Sequence, residues 1–182
     1  MRSEYNSRQL CLMKQIQTLW EQHVYWTSFF IISTAADLCD LEYVTKRLLR
    51  NPDDFAQMLA PFFGERAACQ FRKLFTEHLT IGGDLVNAAK DQDKKLANEI
   101  RKKWYQNADE ISAFLASINQ CWNESKWKCM FYSHLEMTEK EAALRLEGNY
   151  AADIEMFDMI EKEALQMAYY MFCGIINRMG CQ

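Results

Sequence analysis

The sequence predicts an all-α protein, specifically an antiparallel four-helix bundle with two short-helix crossovers. The chain of 182 residues contains only two Pro and six Gly, so helix breakers are rare over long stretches. Hydrophobic residues make up 49% of the chain, which is enough to fill a sizeable core. They fall on stripes with the spacing of helices, and no segment convincingly predicts a strand. Residues 1–182 are therefore expected to form a single helical-bundle domain.

Turn and capping residues divide the chain into four long predicted helices with short connections. The long helices are expected at about residues 9–36, 65–90, 93–119 and 149–178. The polar sequence KDQDKK predicts a tight turn near Asp91. This turn makes the second and third long helices antiparallel neighbours.

The two crossovers are also predicted to be mostly helical. Segment 40–63 is expected to contain two short helices, the second of which starts with Asn51 as its cap and Pro52 at its first position. Residues 121–137 are expected to form a short amphipathic helix and a loop. A capping-box pattern at Thr138 then predicts the start of a further helix.

The charge balance and the cysteines argue against several classes of partner. The formal net charge is −4 and the pI about 5.5, which argues against nucleic acid because phosphate binding needs a basic patch. The longest near-apolar run, residues 24–36, is too short to cross a bilayer, so no membrane partner is expected. Seven Cys at irregular spacing, without a C-x-x-C pair, are interpreted as reduced thiols that pack as small apolar residues in a cytoplasmic protein.

A homodimer is one of two explanations for the apolar residues on the second side of the first helix. Tyr25, Phe29 and Ile32 lie on the side of that helix away from His23. Either the first crossover covers them, or they form a dimer contact.

Each of the four long helices carries polar residues on its predicted apolar stripe. His23 lies at the centre of the stripe of the first helix, and His78 holds the same place on the second. Asn107 lies within the stripe of the third helix, and Asp158 and Glu161 lie within that of the fourth. Carboxylates are almost never fully buried without a partner, so two of them on one apolar stripe require a cation.

These polar positions also lie at similar heights along the predicted bundle. His78 precedes the turn at Asp91 by 13 residues, and Asn107 follows it by 16. At about 1.5 Å per residue, His23 and Glu161 fall in the same layer, roughly 20–26 Å from one end of an antiparallel bundle. The sequence therefore predicts that polar groups from all four helices converge in one buried layer.

Two imidazoles and two carboxylates that project inward predict a metal site, for which Fe, Mn or Zn is the expected divalent ion. The chain has no Glu-x-x-His motif and too few inward acids for a di-iron centre. A mononuclear site is therefore favoured, with His23, His78 and Glu161 as a facial set of ligands. Asp158 or Asn107 would supply a fourth ligand or a hydrogen bond to a ligand.

Two other interpretations of these groups remain open. They would also suit a metal-free hydrogen-bonded network in a structural or protein-interaction bundle. A metal-dependent hydrolase or transferase would additionally need an open coordination position and a pocket for a small-molecule substrate. His134, the third histidine, is expected to lie at the surface or to pack beside Phe131, with a role as a lid ligand as the alternative. The chain contains no phosphate loop, nucleotide-binding glycine pattern or nucleophile elbow.

Four segments of the chain resemble a small uncharacterised bacterial family of helical proteins. They are LWEQHVYWTSFFIISTAADL, FTEHLTIGGDLVNAAK, KKWYQNADEISAFLASIN and GNYAADIEMFDMIEKEALQMA, and the resemblance covers most of residues 17–170. Some members of that family carry a mistaken acetylglutamate kinase assignment, although such a kinase needs an α/β sheet and glycine-rich phosphate loops. More distantly, the pattern is similar to ferritin-like and hemerythrin-like bundles, in which inward His and acidic residues bind iron. The resemblance implies a helical bundle and says little about activity.

Overall fold

The computed structural model describes residues 5–180, which form seven helices joined by short turns. The helices are α1 (Ser7–Ala35), α2 (Leu41–Leu48), α3 (Asn51–Phe63), α4 (Glu65–Lys90), α5 (Lys94–Ile118), α6 (Glu124–Leu146) and α7 (Tyr150–Gly180). No strand occurs within residues 5–180, so the prediction of an all-α chain is confirmed for that part. Within the same range, no helix combines the length and the apolar character needed to cross a membrane.

Local capping residues explain where several helices begin. Asn6 and Gln9 form a capping box at the start of α1, in which each side chain accepts from the backbone of the other at 2.9 Å. Asp93 and Asn123 accept backbone N–H groups at the starts of α5 and α6. Gly64 separates α3 from α4 with a φ of 83°, a left-handed value that glycine adopts without steric cost.

Helix α6 differs from the prediction because it is one continuous helix of 23 residues. The segment expected to be a loop before Thr138 is helical. The hydroxyl of Thr138 donates to the carbonyl of His134, one turn earlier in the same helix, at 2.8 Å. Thr138 therefore caps nothing, and Asn123 caps the whole helix. Five of the described helices have 23 or more residues, so the exact four-helix antiparallel arrangement stays a prediction.

The long helices pack around a core rich in aromatic rings. Helix α1 packs mainly against α7 and α2, α4 against α3 and α5, and α6 against α5 and α7. The largest fully buried rings are Trp20, Trp122, Trp127, Phe55, Phe71, Phe75, Phe131 and Phe172. A second, smaller apolar cluster lies where α2 covers α1, α4 and α6. The histidine layer takes its side chains from α1, α4, α5, α6 and α7.

Helix α7 presents a different face to the core from the predicted one. Its apolar spacing predicts an inward stripe of Ile154, Leu165, Ala168, Tyr169, Phe172 and Ile176, of which Ala168 and Phe172 are buried, but Ile154 is 59% exposed and Tyr169 49%. The other buried positions of α7 are Asp153, Met156, Ile160, Ala164, Met167, Met171, Gly174 and Ile175. The prediction that Asp158 points inward is wrong, because its side chain is exposed. Apolar residues cover most of the circumference of α7, and flexible methionines rather than the tyrosine fill the core.

The cysteines also differ from the prediction. Six are described as free thiols, of which five are exposed and one is half-buried: Cys11, Cys39, Cys69, Cys121 and Cys129, and then Cys173. The interpretation of the cysteines as small apolar packing residues is therefore wrong for the exposed five. Cys181 lies outside the described residues.

Candidate functional site

The three histidines of the chain meet in the core, each from a different helix. His23 belongs to α1, His78 to α4 and His134 to α6, and each is 2% exposed. The Nε2 atoms of His23 and His134 are 3.3 Å apart. The ring centroid of His23 lies 5.3 Å from that of His134 and 6.3 Å from that of His78. The structure thus brings His23 and His78 together and adds His134, which the sequence analysis expected at the surface or in packing.

Asn107 of α5 determines which nitrogen of His78 carries the proton. Its Nδ2 donates to the carbonyl of Leu74 at 3.1 Å, which leaves its Oδ1 facing Nδ1 of His78 at 3.0 Å. Because an amide oxygen only accepts hydrogen bonds, Nδ1 of His78 must be the donor. The other ring nitrogen, Nε2, therefore keeps its lone pair. Asn107 lies in the histidine layer, as predicted, but as a partner of His78.

Oxygen atoms also lie near the rings of His23 and His134. Nδ2 of Asn51 donates to the carbonyl of Leu19 at 3.0 Å, and the Asn51 side chain raises the pKa of His23, but its amide oxygen and Nδ1 of His23 form no hydrogen bond as placed. Glu163 of α7 places Oε2 3.4 Å from Nδ1 of His134. A carboxylate only accepts, so this contact favours a proton on Nδ1, but the two atoms form no hydrogen bond as placed. The Nε2 atoms of His23 and His134 face each other at 3.3 Å, a separation that also fits an N–H···N hydrogen bond.

Burial keeps His23 and His78 neutral near neutral pH. It lowers the pKa of His23 well below its usual range, and the neighbouring rings of His134 and His78 lower it further. Burial also lowers the pKa of His78 to about 3, an effect that His134 adds to and the hydrogen bond with Asn107 opposes. Neutral imidazole is the form that binds a metal ion, because a protonated ring has no free lone pair.

The separation of His23 and His134 is compatible with two ligands of one ion. Two nitrogens that each lie about 2.0–2.1 Å from a tetrahedral ion are about 3.3 Å apart. The ring of His78 is about 1 Å farther from His23 than the ring of His134 is, at 6.3 Å against 5.3 Å. Within residues 5–180, no group of three or more His, Cys, Asp or Glu side chains stands close enough to hold a metal ion as placed. A shared ion would therefore require these side chains to move from the positions described.

The two predicted carboxylates of α7 do not join the histidines. Asp158 is exposed. Glu161 is half-buried and accepts a hydrogen bond from the hydroxyl of Tyr25, which raises the pKa of Tyr25 to about 12. Tyr25 lies on the side of α1 away from His23, so the predicted position of Glu161 in the histidine layer is wrong. The carboxylate next to the histidines is Glu163, whose side chain is 12% exposed.

The sequence analysis offered His134 only as an alternative lid ligand and did not single out Glu163, for different reasons. His134 follows the buried Trp127 and Phe131 by seven and three positions, which is the spacing of one helix face. This signal becomes visible only when residues 124–146 are taken as one helix. Glu163 lies between the buried Ile160 and Ala164, but the apolar residues around most of α7 hide this face from sequence analysis.

A cavity of about 720 Å³ opens beside the histidines. Its lining comes from five helices, α1, α2, α4, α5 and α6, and is mostly apolar. The apolar residues include Phe30, Leu48, Leu79, Leu85, Val86 and Ala142. Its lining includes the three buried histidines and also the exposed Asp84, Lys94 and Asn98. Both the volume and the apolar lining are typical of small-molecule sites.

The chain matches no protein-family model, no curated protein and no solved structure. The resemblance to the bacterial helical family, and more distantly to ferritin-like and hemerythrin-like bundles, therefore stays a prediction. The arrangement of the histidines and the cavity beside them is the basis for a functional proposal.

Proposed function

We propose that the protein binds one divalent metal ion through His23, His78 and His134. The observation that carries this proposal is the 3.3 Å separation of the Nε2 atoms of His23 and His134. Asn51 lies near the ring of His23 and Glu163 near that of His134, and protons on Nδ1 of both rings would leave two lone pairs facing each other at this distance. Facing lone pairs repel unless a cation lies between them.

The residues behind the histidines support the same proposal. Metal-binding histidines usually donate their second ring N–H to a carboxylate or amide oxygen, which sets the tautomer and strengthens the ligand. Asn107 stands in this relation to His78. Glu163 lies 3.4 Å from Nδ1 of His134, and the side chain of Asn51 lies near the ring of His23.

The ligand set favours particular ions and a particular kind of chemistry. Three imidazoles suit Zn or Fe better than Mn, which prefers oxygen ligands. Three protein ligands leave one coordination position open, as in catalytic zinc sites. The cavity beside the histidines therefore supports a metal-dependent hydrolase or transferase as the activity, to which the ion would supply Lewis acidity.

Metal analysis of protein purified without an affinity tag tests the proposal. The protein is stripped with chelator, reloaded with Zn, Fe(II) or Mn(II), freed of unbound metal and measured by elemental analysis. We expect one zinc ion per chain and much less manganese. His134→Ala should lose most of the zinc, because it removes the proposed ligand that faces His23.

The matched controls are Asp158→Ala and Glu161→Gln, which change the carboxylates that the sequence predicted as ligands. Both variants should keep the full zinc content, since neither side chain reaches the histidines. Loss of zinc in Asp158→Ala with full retention in His134→Ala would contradict the proposed ligands. A wild-type protein that takes up none of the three metals would contradict the site itself.

A metal-free network is the second candidate, because a separation of 3.3 Å also fits a weak N–H···N hydrogen bond between His23 and His134. One of the two rings would then carry its proton on Nε2 and leave its oxygen neighbour without a donor. Nitrogen-15 NMR of the ring atoms identifies the tautomers. A proton on Nε2 of either ring, together with no metal uptake, would favour the network.

Two wider expectations belong to the same proposal. The long helices are proposed to form an antiparallel bundle around the site, as the tight turn at residues 91–93 between α4 and α5 supports. A reducing, cytoplasmic location is proposed because exposed free thiols such as Cys11 and Cys69 persist in reducing compartments.

A further inference from the structure

Two consecutive glycines of α4 line the cavity beside the histidines. A side-chain carbon on Gly82 would lie 3.2 Å from the ring of Trp104, and one on Gly83 would lie 3.3 Å from the ring of Phe30. Glycine destabilises a helix interior relative to alanine. Its use at both positions lets two large rings lie directly against the backbone of α4, where they line the cavity. This mostly apolar space therefore suits a ligand with a large apolar part.

The hydroxyl groups of the lining have already donated their protons. Each of the four threonines that line the cavity donates to the carbonyl four residues earlier in its own helix, at 2.7–2.9 Å: Thr27, Thr45, Thr80 and Thr138. A hydroxyl oxygen can still accept a hydrogen bond after it has donated its one proton. The threonines therefore offer a ligand acceptors and no donor.

The ring N–H groups of the buried lining are used or out of reach as well. Nε1 of Trp104 donates to the carbonyl of His78 at 3.1 Å, and Nδ1 of His78 donates to Asn107 at 3.0 Å. In His23 and His134 the Nδ1 atoms are fully buried and the Nε2 atoms face each other, so a proton on any of these atoms is not presented to a ligand. Nε2 of His78 keeps its lone pair. Among the described residues, the buried lining thus offers acceptors and no free donor.

The charged groups of the lining are half-buried or exposed, and their signs nearly balance. Arg101 is paired with Glu139. Asp84, Asp93 and Lys94 also line the cavity, and all three are exposed. Lys94 is offset by two carboxylates, and water and salt screen exposed charges, so neither an anion nor a cation gains much here. Since moving a charged group from water into an apolar space is costly, the lining favours an uncharged ligand.

We propose that the cavity binds an uncharged, hydrocarbon-rich molecule that carries a hydroxyl group, such as a medium-chain alcohol. The hydroxyl donates to an acceptor of the buried lining, and the hydrocarbon part lies along the apolar residues. This inference goes beyond the metal site proposed above and does not rest on it. The threonine oxygens can accept whether or not an ion occupies Nε2 of His78.

Calorimetric titration of the chelator-treated full chain tests the inference. The probes are 1-decanol, 1-hexanol and methyl nonyl ether, an isomer of 1-decanol that has no hydroxyl proton. Decanol should bind at least tenfold more tightly than hexanol, because each methylene moved from water to the apolar lining strengthens binding. It should bind about threefold more tightly than the ether, because only the alcohol can donate a hydrogen bond.

Two charged probes with the same hydrocarbon chain test the charge of the ligand. Decanoate and decylammonium should each bind at least tenfold more weakly than decanol, because each loses the hydration of its charge without gaining a buried partner. Lys94→Ala removes the exposed cation of the lining and should leave the affinity for decanol unchanged. Decanoate that binds as tightly as decanol, and more weakly in Lys94→Ala, would assign an anion to the cavity and overturn the inference.

Cavity-filling variants locate the bound alcohol. Ala142→Phe on α6 and Ala97→Phe on α5 fill the cavity from two walls and should each weaken decanol binding at least tenfold. The matched control is Ala113→Phe, which adds the same ring to an exposed position of α5 and should leave binding unchanged. If one cavity variant fails to fold, the other gives the same readout from a different wall. Unchanged affinity in a folded cavity variant overturns the inference.

Zinc uptake and alcohol binding are measured separately, which distinguishes this inference from the metal site. A chain that takes up zinc but does not bind decanol, or that binds the ether equally well, overturns the inference and leaves the metal site intact. A chain that takes up no metal but binds the probes in the expected order contradicts the metal site and supports the inference.

Discussion

Glu141 of α6 is a buried carboxyl group outside the histidine site. It is 2% exposed and lies beside Ser28 of α1. Burial raises its pKa to about 7, and the nearby Asp153 adds to this effect. The hydrogen bond with Ser28 and the charge of Arg145 oppose it. In the folded protein this side chain therefore stays protonated over most of the acidic range.

Glu141→Gln should change how stability depends on pH. The folded-state pKa of about 7 lies above the ordinary value of 4.5, so the folded protein holds the proton more tightly than the unfolded chain does. The bound proton stabilises the folded protein fully at pH values below the ordinary pKa. This stabilisation, ~3 kcal/mol at most in the free energy of unfolding, is lost as the pH rises through the pKa of the folded state. Glutamine stays neutral, so the variant should gain stability relative to wild type between pH 5 and pH 8.

Urea unfolding of both proteins at the two pH values measures this difference. Glu136→Gln, at an exposed position of the same helix, is the control and should show no pH-dependent gain. A constant difference between Glu141→Gln and wild type across this range would show that Glu141 ionises normally in the folded protein.

At the scale of helices, α7 is held against the segment between α5 and α6 by a close contact. The indole of Trp122, which is 2% exposed, lies directly on the backbone of α7 at Gly174. A side-chain carbon built at Gly174 would lie 1.8 Å from Nε1 of Trp122. Such a distance leaves no room for any other residue at position 174 unless Trp122 moves.

Gly174→Ala should therefore destabilise the protein, although alanine normally stabilises a helix interior by about 1 kcal/mol relative to glycine. Overpacking of this kind costs ~1–3 kcal/mol. The free energy of unfolding from urea titration measures the effect. In a Trp122→Phe background the smaller ring leaves space, so the same substitution should cost less. Equal costs in both backgrounds would show that the clash with Trp122 is not the cause.

At the scale of the whole molecule, the proposed metal site connects helices that are distant in the sequence. His23, His78 and His134 come from α1, α4 and α6. An ion held by all three binds the folded protein, whereas the unfolded chain has no assembled site. Binding energy of this kind adds directly to the stability of the fold.

Zinc should therefore raise the thermal midpoint of the chelator-treated protein. At free zinc about 100-fold above its dissociation constant the gain is ~2.7 kcal/mol, which corresponds to a shift of roughly 5–10 °C for a chain of this size. The shift should disappear in His78→Ala. Mg²⁺ is the control, since it prefers oxygen ligands and should leave the midpoint unchanged. If neither chelator nor added Zn, Fe or Mn shifts the thermal midpoint of the wild-type protein, the proposed metal site is wrong. That result would not bear on the fold.

Several features follow from the sequence alone. Scarce glycine and proline and one-sided apolar stripes determine the helices, because helix formation depends on local spacing and backbone hydrogen bonds. On α1, α4 and α5 the stripes are narrow enough to show that His23, His78 and Asn107 are buried.

Only the tertiary structure decided which residues complete the polar layer. Helix α7 is apolar around most of its surface, so the face it turns toward the core depends on how side chains such as Met167 and Met171 fit there. This orientation places Glu163, rather than Asp158, next to the histidines. The position of His134 depends on α6 continuing through Thr138, where a local capping pattern competes with a longer buried stripe. In both helices, packing against neighbours distant in the sequence determined the structure more than the local pattern did. On α6, the free energy gained by burying a whole helix face exceeds the free energy that a single cap contributes.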